Sequence, residues 1–454
     1  MKTKRLVTFF PKKSLSSSQK LMGGFALIIL LSALLLHLPL SSASGQATPM
    51  LDCLFTATSA TCVTGLVTLD TGTHWSTFGK TVILLCIQLG GIGFMGFATF
   101  FFLLIGKKIR LKSRLTLQES YNLARPGGIV RITKHILLFT LITELLGIIC
   151  SMFTFVPQFG IKSGITISVF HTIAAFCNAG FDIFGNYASL TGYVSNPFIQ
   201  IVTMLLIIIG GLGFFVMEDI FIYRKQFRAL SFHTKLVLST TLILIVVGAG
   251  VFFIFEYRNP ATLAPLSISD KIVGAFFNSV SPRTAGFNSL NMAALSNGGS
   301  LIVILLMFVG GSPGSTAGGI KTTTLAVLLI TVHSWIRGKD NIELFRRKIS
   351  HQHLKKSVAI FVFTSLLIMA AIFILSFTET ASLGDITFEV FSAFGTVGLT
   401  KGLTPHLTAV GKVVILLCMF IGRLGPLTIA LALSRDIHTP QGHYTYPEGE
   451  ILLG

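Results

Sequence analysis

The chain has 454 residues, 52% hydrophobic and only 11% charged, with a formal net charge of +18. A soluble protein carries roughly 25% charged residues, so this chain cannot cover a water-facing surface and most of its exterior must face lipid. The positive excess does not mark a nucleic-acid binder. Most of the 35 lysines and arginines fall before Met22, in Lys107–Lys134, Arg224–Lys235 and Arg337–Lys356, and at Arg435. These stretches alternate with others holding only Lys80, Lys162, Arg258, Lys271, Arg283, Lys401 and Lys412, the asymmetry expected of a multi-pass protein with its basic side in the cytoplasm.

Residues 1–20 read as a basic, serine-rich cytoplasmic N-terminus. The run Leu21–Leu40 has the length of a membrane span and exceeds a signal-peptide core of about 7–15 residues, so it reads as a retained span. Pro49–Ala60 is apolar but too short to cross, with Asp52 in its first turn. A glycine loop at Gly65 follows, then the polar stretch Asp70–Thr77 and an apolar segment from Phe78 to Ile105. This order of span, half-length helix, glycine loop and span defines a unit at 21–106. After a cytoplasmic linker (107–131), a second unit at 132–223 holds Ile132–Val156, Gly164–Phe176, Gly180 and Pro197–Tyr223. After the linker 224–234, a third at 235–335 holds Lys235–Phe255, Ser269–Ser279, Gly286 and Ser300–Trp335. After the linker 336–356, a fourth at 357–435 holds Ser357–Phe377, Leu383–Phe394, Gly398 and Val410–Leu433. Residues 436–454 form a cytoplasmic tail. The predicted fold is an all-α integral membrane protein: four tandem repeats, eight transmembrane helices and four re-entrant loops around one central pore.

The four loops carry the functional signal. They are Val63-Thr64-Gly65, Asn178-Ala179-Gly180, Thr284-Ala285-Gly286 and Thr396-Val397-Gly398, with glycines 115, 106 and 112 residues apart. A near-constant period marks internal repetition. Glycine clusters recur after each loop, at Gly90-Gly91-Ile92-Gly93, Gly210-Gly211-Leu212-Gly213, Gly310-Gly311 and Gly422-Arg423-Leu424-Gly425, where they let a lining helix bend or backbones meet. Non-helical backbone at membrane depth must be buried in protein or line water. Four loops facing one axis satisfy this, and their carbonyls can replace the water shell of a cation. Half-helices entering from outside point their partly negative C-terminal ends inward, which also favours cations.

The segment Gly310-Gly311-Ser312-Pro313-Gly314-Ser315-Thr316-Ala317-Gly318-Gly319 interrupts an apolar stretch whose unbroken helix would measure about 54 Å. Its breakers predict two half-helices joined by a loop at membrane depth, against the pore; a simple kink is the plainer alternative. Arg423, between Gly422 and Gly425, is an intramembrane charge that needs a partner or a cavity. It either pairs with Glu218 or Asp219, or stands as a positive charge below the loops that holds the gate segment; the two readings are compatible. Glu144 is a further intramembrane acid whose partner the sequence leaves open. Gly91–Gly96 fits GxGxxG but lies within a span, and the stretch from Gly314 to Lys321 lacks the Gly-Lys-Ser/Thr of a phosphate loop. The six cysteines form no metal-binding spacing, the histidines no catalytic one, and the sequence reads as no enzyme.

On these loops the chain resembles the potassium-translocating membrane subunit of bacterial Ktr systems, within the wider family that includes TrkH and the plant HKT transporters. The resemblance covers nearly the whole chain. It implies four joined copies of the potassium-channel unit, one filter glycine per unit at Gly65, Gly180, Gly286 and Gly398, and an obstructing loop at 310–319. Only Thr396-Val397-Gly398 closely echoes the channel signature, which implies weaker selectivity than that of a strict potassium channel. Plant relatives with serine at the first filter glycine carry sodium, so Gly65 points to potassium. The resemblance further implies a homodimer and a KtrA-like cytosolic ring that binds nucleotide (ATP/ADP or NAD(H)), with no cofactor on this chain and K+ as its transported ion. The rival reading is a secondary carrier coupled to Na+ or H+; the common orientation of all four units disfavours it, since such carriers commonly use inverted repeats.

Overall fold

The computed structural model describes residues 16–93, 129–223, 226–339 and 341–433. Residues 107–128 of the linker, the tail 436–454, the end of the first unit and most of the N-terminal stretch lie outside them. Helix α1 (Ser17–His37) starts at a capping box, in which Ser16 Oγ accepts from the Gln19 amide and the Gln19 side chain accepts from the Ser16 amide. The short helix α2 (Met50–Thr61) and then α3 (Thr77–Ile92) follow. Helix α4 (Ile129–Phe176) is kinked at Gly160. Then come α5 (Pro197–Leu212), α6 (Phe214–Tyr223), α7 (Phe232–Glu256), the short α8 (Ile268–Val280), α9 (Asn297–Phe308) and α10 (Thr322–Ile336). A small antiparallel hairpin pairs Glu343–Leu344 with Arg347–Lys348. The chain continues with α11 (His351–Thr378), the short α12 (Leu383–Phe394), α13 (Ala409–Leu424) and α14 (Pro426–Leu433).

The distribution of polarity is that of a protein in lipid. Long helices expose Leu141, Phe153, Ile254 and Phe377, whereas Thr56, Thr58, Ser59, Thr61 and Thr64 are buried around the second helix. Four described helices are long and apolar enough to cross a membrane: Ser18–His37, Thr133–Phe176, Phe232–Glu256 and His351–Thr378.

The expected second spans are not continuous. Pro197–Tyr223 breaks at Gly213 with a 96° bend between α5 and α6, and Val410–Leu433 breaks at Gly425. Both glycines have positive φ, 95° and 85°, a conformation open to glycine and costly to side chains. Gly93, with φ 84°, ends α3 in the same way. Within α4, Gly160 at φ 76° follows Pro157, and Gly164 lies directly on the Val156 backbone. The expected span 132–156 and half-helix 164–176 are thus two limbs of one sharply folded segment.

Packing interlocks neighbouring units. The short α2 packs on α1 and α3 of its own unit and on α13 of the fourth; α8 packs on α7 and on α5; α12 packs on α11, α13 and α9. Polar seams reinforce this. The Tyr187 amide donates to Asp70 at 3.1 Å, the Leu190 amide to the Asn288 carbonyl at 3.0 Å, and Lys412 Nζ to Asp52 at 2.7 Å.

Candidate ion pathway

Each of the four loops begins where a short helix ends. The chain then takes positive φ twice, two residues apart: Val63 and Gly65, Asn178 and Gly180, Thr284 and Gly286, Thr396 and Gly398. The conformation is fixed from behind. The amides of Thr64, Ala179 and Val397 each donate to a carbonyl five residues earlier at 2.8 Å, and those of Ala285 and Gly286 donate to Ser281. In the first and fourth loops the glycine amide also donates to a serine hydroxyl, Ser59 or Ser392, at 3.1 Å. Positive φ on both sides of a residue without it turns successive carbonyls to the same side, which a uniform strand cannot do.

The four glycines form a closed ring. A side chain added at Gly65 would meet the Ala179 carbonyl and Gly180; at Gly180, the Ala285 carbonyl and Gly286; at Gly286, the Val397 carbonyl; at Gly398, the Thr64 carbonyl and Gly65. So each loop abuts the next in chain order and the fourth returns to the first. The carbonyls of Thr64, Ala179, Ala285 and Val397 accept no hydrogen bond among the described residues. The buried hydroxyls of Thr64 and Thr396 also lack a partner. Buried carbonyls are rarely left unused; four together on a ring can hold a desolvated cation.

Below the ring, the first glycine of three of the clusters admits close backbone approach. A side chain at Gly90, Gly210 or Gly422 would strike the carbonyl of Thr61, Phe176 or Phe394, at or next to the end of a short helix. The segment 310–319 is a loop between α9 and α10, closed at its base by a bridge between Val309 and Ile320. It reaches across the other units. The Ser312 amide donates to Gly211 at 3.0 Å, Thr316 Oγ1 to the Phe176 carbonyl at 3.3 Å, and the Gly319 amide to Gly422 at 3.3 Å. Gly310 backs on Thr284, and Gly318 on Thr396, so the loop lies against the ring. Pro313 and Gly314 reach the opposite bend: the Phe214 amide donates to Gly314 at 2.9 Å, and Gly213 faces the Pro313 carbonyl. Ser315 Oγ donates to Ser312 at 2.7 Å, and Gly311 packs on Ala317.

Arg423 pairs with neither expected acid. Its guanidinium donates to the carbonyls of Thr316, Gly90 and Gly91, tying the loop to the first unit. Asp219 accepts from the Ser231 amide at 2.9 Å, and Glu218 faces His135 at 3.3 Å. Glu144 is bonded by Gln88 Nε2 at 2.9 Å. Arg283 is buried behind the third loop, and its Nε has no partner among the described residues.

Two features escaped the sequence reading. Lys321 Nζ donates to Ala317 at 2.7 Å; the available signal was its place as the only cationic side chain of Lys or Arg type between Arg283 and Arg337. Glu256 and Glu379, at the ends of α7 and α11, each grip the residue that starts the helix after a loop. Glu256 accepts from the Ser296 amide and hydroxyl at 2.9 and 2.6 Å, and Glu379 from those of Thr408 at 3.1 and 2.6 Å. Their signal was the recurring Ser/Thr-x-x-Gly of Ser296–Gly299 and Thr408–Gly411, because each glycine leaves room for the glutamate.

Comparison with known families decides the affiliation. Residues 12–446 match the TrkH family model, described as cation transport protein. The chain belongs to the TrkH cation transport family. It is 44% identical over 436 residues to the Ktr system potassium uptake protein B of Bacillus subtilis, covering 96% of each chain. It is 42% identical over 447 residues to the potassium/sodium uptake protein NtpJ of Enterococcus hirae, covering 98% of each. Its fold matches the crystal structure of the potassium transporter TrkH from Vibrio parahaemolyticus with a TM-score of 0.72 at 17% identity, over 93% of this chain and 86% of that one. The TrkH/Ktr chain is therefore a membrane transporter by family.

Proposed function

We propose that this chain is the translocating subunit of a potassium uptake system. Potassium passes through a channel-like pore whose filter is formed by the loops at Gly65, Gly180, Gly286 and Gly398. The observation that carries this reading is the closed ring of unused carbonyls from Thr64, Ala179, Ala285 and Val397. Carbonyl rings compensate a cation for its lost water, and the short helices direct their negative ends at the same place. The names of the relatives from Bacillus subtilis and Enterococcus hirae agree with potassium as the cargo.

In this reading the four units cross the membrane eight times, with the short helices and loops re-entering from outside and both termini in the cytoplasm. The broken second spans are then crossings whose inner halves splay away from the axis. An inside-negative potential drives uptake, at about 2.3 kcal/mol per charge per 100 mV. The loop 310–319 obstructs the path below the filter, with Arg423 as its tether. Control comes from a KtrA-like ring, carrying ATP/ADP or NAD(H), docked on the basic cytoplasmic face of a homodimer. The test is potassium against sodium flux into liposomes holding the purified chain with its regulatory ring, under an imposed inside-negative potential.

A further inference from the structure

Three consecutive carbonyls of the obstructing loop are held by positively charged side chains. Arg423 takes Thr316 from one unit. Lys321 Nζ takes Ala317 at 2.7 Å and also lies 3.4 Å from Gly318. Gly318 backs on the Thr396 side chain of the fourth filter loop, so the lysine ammonium is bound to carbonyls of the segment that touches that loop. Lys321 is half-buried, and among the described residues no carboxylate lies within salt-bridge distance of it.

This lysine is poorly placed for helix stability. It is the N-cap residue of α10 and makes no side-chain capping bond. A cation at a helix N-terminus opposes the helix dipole. Arg423 binds the adjacent Thr316 carbonyl, so a second positive charge is held on the same loop. What holds the ammonium is the pair of loop carbonyls, and those are the ligands that a potassium ion would use. Ammonium and potassium ions carry the same charge and are close in size. The two carbonyls therefore form a cation site already filled by a tethered cation.

The geometry points to Lys321 as a built-in stand-in for the transported ion. At rest its ammonium occupies the cation site that the loop presents below the filter. Conduction requires the ammonium to withdraw, and a potassium ion leaving the filter competes for the same carbonyls. Lys321 is thus a positioning residue of the gate, distinct from Arg423, which bonds to the first unit as well as to the loop. The inference rests on the pore reading above.

The test is thermal unfolding of the purified full-length chain in potassium chloride and in choline chloride at equal ionic strength. Lys321→Met vacates the site, so its Tm should rise with potassium by several degrees more than that of the unsubstituted chain, since a ligand that binds only the folded state stabilises it. Lys321→Arg, which keeps the charge, should respond like the unsubstituted chain. Resting potassium flux should rise several-fold in Lys321→Met and return towards normal in Lys321→Arg. If Lys321→Met fails to fold, Lys321→Gln carries the test, with the same excess potassium response expected. A potassium response equal in all variants overturns the stand-in and leaves the pore reading intact. A complete lack of potassium response in every form, the unsubstituted chain included, sinks both.

Discussion

Lys412 Nζ lies 2.7 Å from Asp52 Oδ1, joining the first turn of α13 to the first turn of α2 across 360 residues of sequence. The pair ties the second helix of the chain to the last but one, which also pack on each other. Both side chains are largely buried, at 13% and 17% exposure. Removing one partner leaves the other charge unpaired in poor solvent.

Lys412→Met should therefore destabilise the fold by about 2 kcal/mol, less than the 3–5 kcal/mol of a fully buried pair. The check is a double-mutant cycle with Asp52→Asn, read as detergent Tm. The double variant should lose clearly less than the sum of the single losses. Simple additivity would show that the pair does not couple the units.

The seam between the first and second units should be acid-sensitive. Asp70 is partly buried, which alone would raise its pKa. Hydrogen bonds from the Thr73 side chain and from the amides of Tyr187, Thr73 and Asn186 outweigh this and hold the carboxyl below its usual range. A depressed folded-state pKa contributes stability above the unfolded value of about 3.9, and that contribution fades as pH falls through the lower folded value. Detergent-solubilised chain should lose Tm on acidification through that window. Asp70→Asn should be less stable at neutral pH and lose less on acidification.

Deleting Gly311–Gly318 should raise potassium flux several-fold with selectivity retained. The bridge between Val309 and Ile320 already brings the loop's ends together, so a short splice can rejoin them. Flux at the unsubstituted level in folded protein would show that the loop does not obstruct the path.

Arg423→Gln should loosen the same loop by removing charge-assisted bonds to Thr316 and Gly90, worth about 1.5–3 kcal/mol each where the donor is charged. Its resting flux should rise, and the deletion of 311–318 should make the substitution silent. An additive rise in flux would place Arg423 outside the gate.

The sequence carried much of this, for identifiable reasons. The short helices were legible because an apolar run of about a dozen residues cannot span a bilayer: Leu383–Phe394 has the predicted ends, and Met50–Thr61 starts and ends one residue later than predicted. Glycine's recurrence marked the loops. The breaks at Gly213 and Gly425 fall in the glycine clusters where a bend was one of the two expectations, but hydropathy runs straight across them, so the spans themselves read as continuous. Nothing in sequence separates a glycine that admits a neighbour, such as Gly210 against Phe176, from one that ends a helix at positive φ, such as Gly213. The hold of Arg423 on the gate segment was one of the two expectations, but its acceptors were not named, because a search for opposite charge overlooks backbone carbonyls, which become strong acceptors only where a loop exposes them.

In the proposed function the four glycines enclose the ion-selective point. The most direct test is the ratio of potassium to sodium flux in liposomes for Gly398→Ser beside the unsubstituted chain. A side chain there would press on the Thr64 carbonyl and strain a residue at φ 98°. Potassium preference should fall by about tenfold or more, equivalent to ~1.4 kcal/mol of discrimination. An unchanged ratio in Gly398→Ser and in Gly65→Ser, with flux preserved, would contradict it.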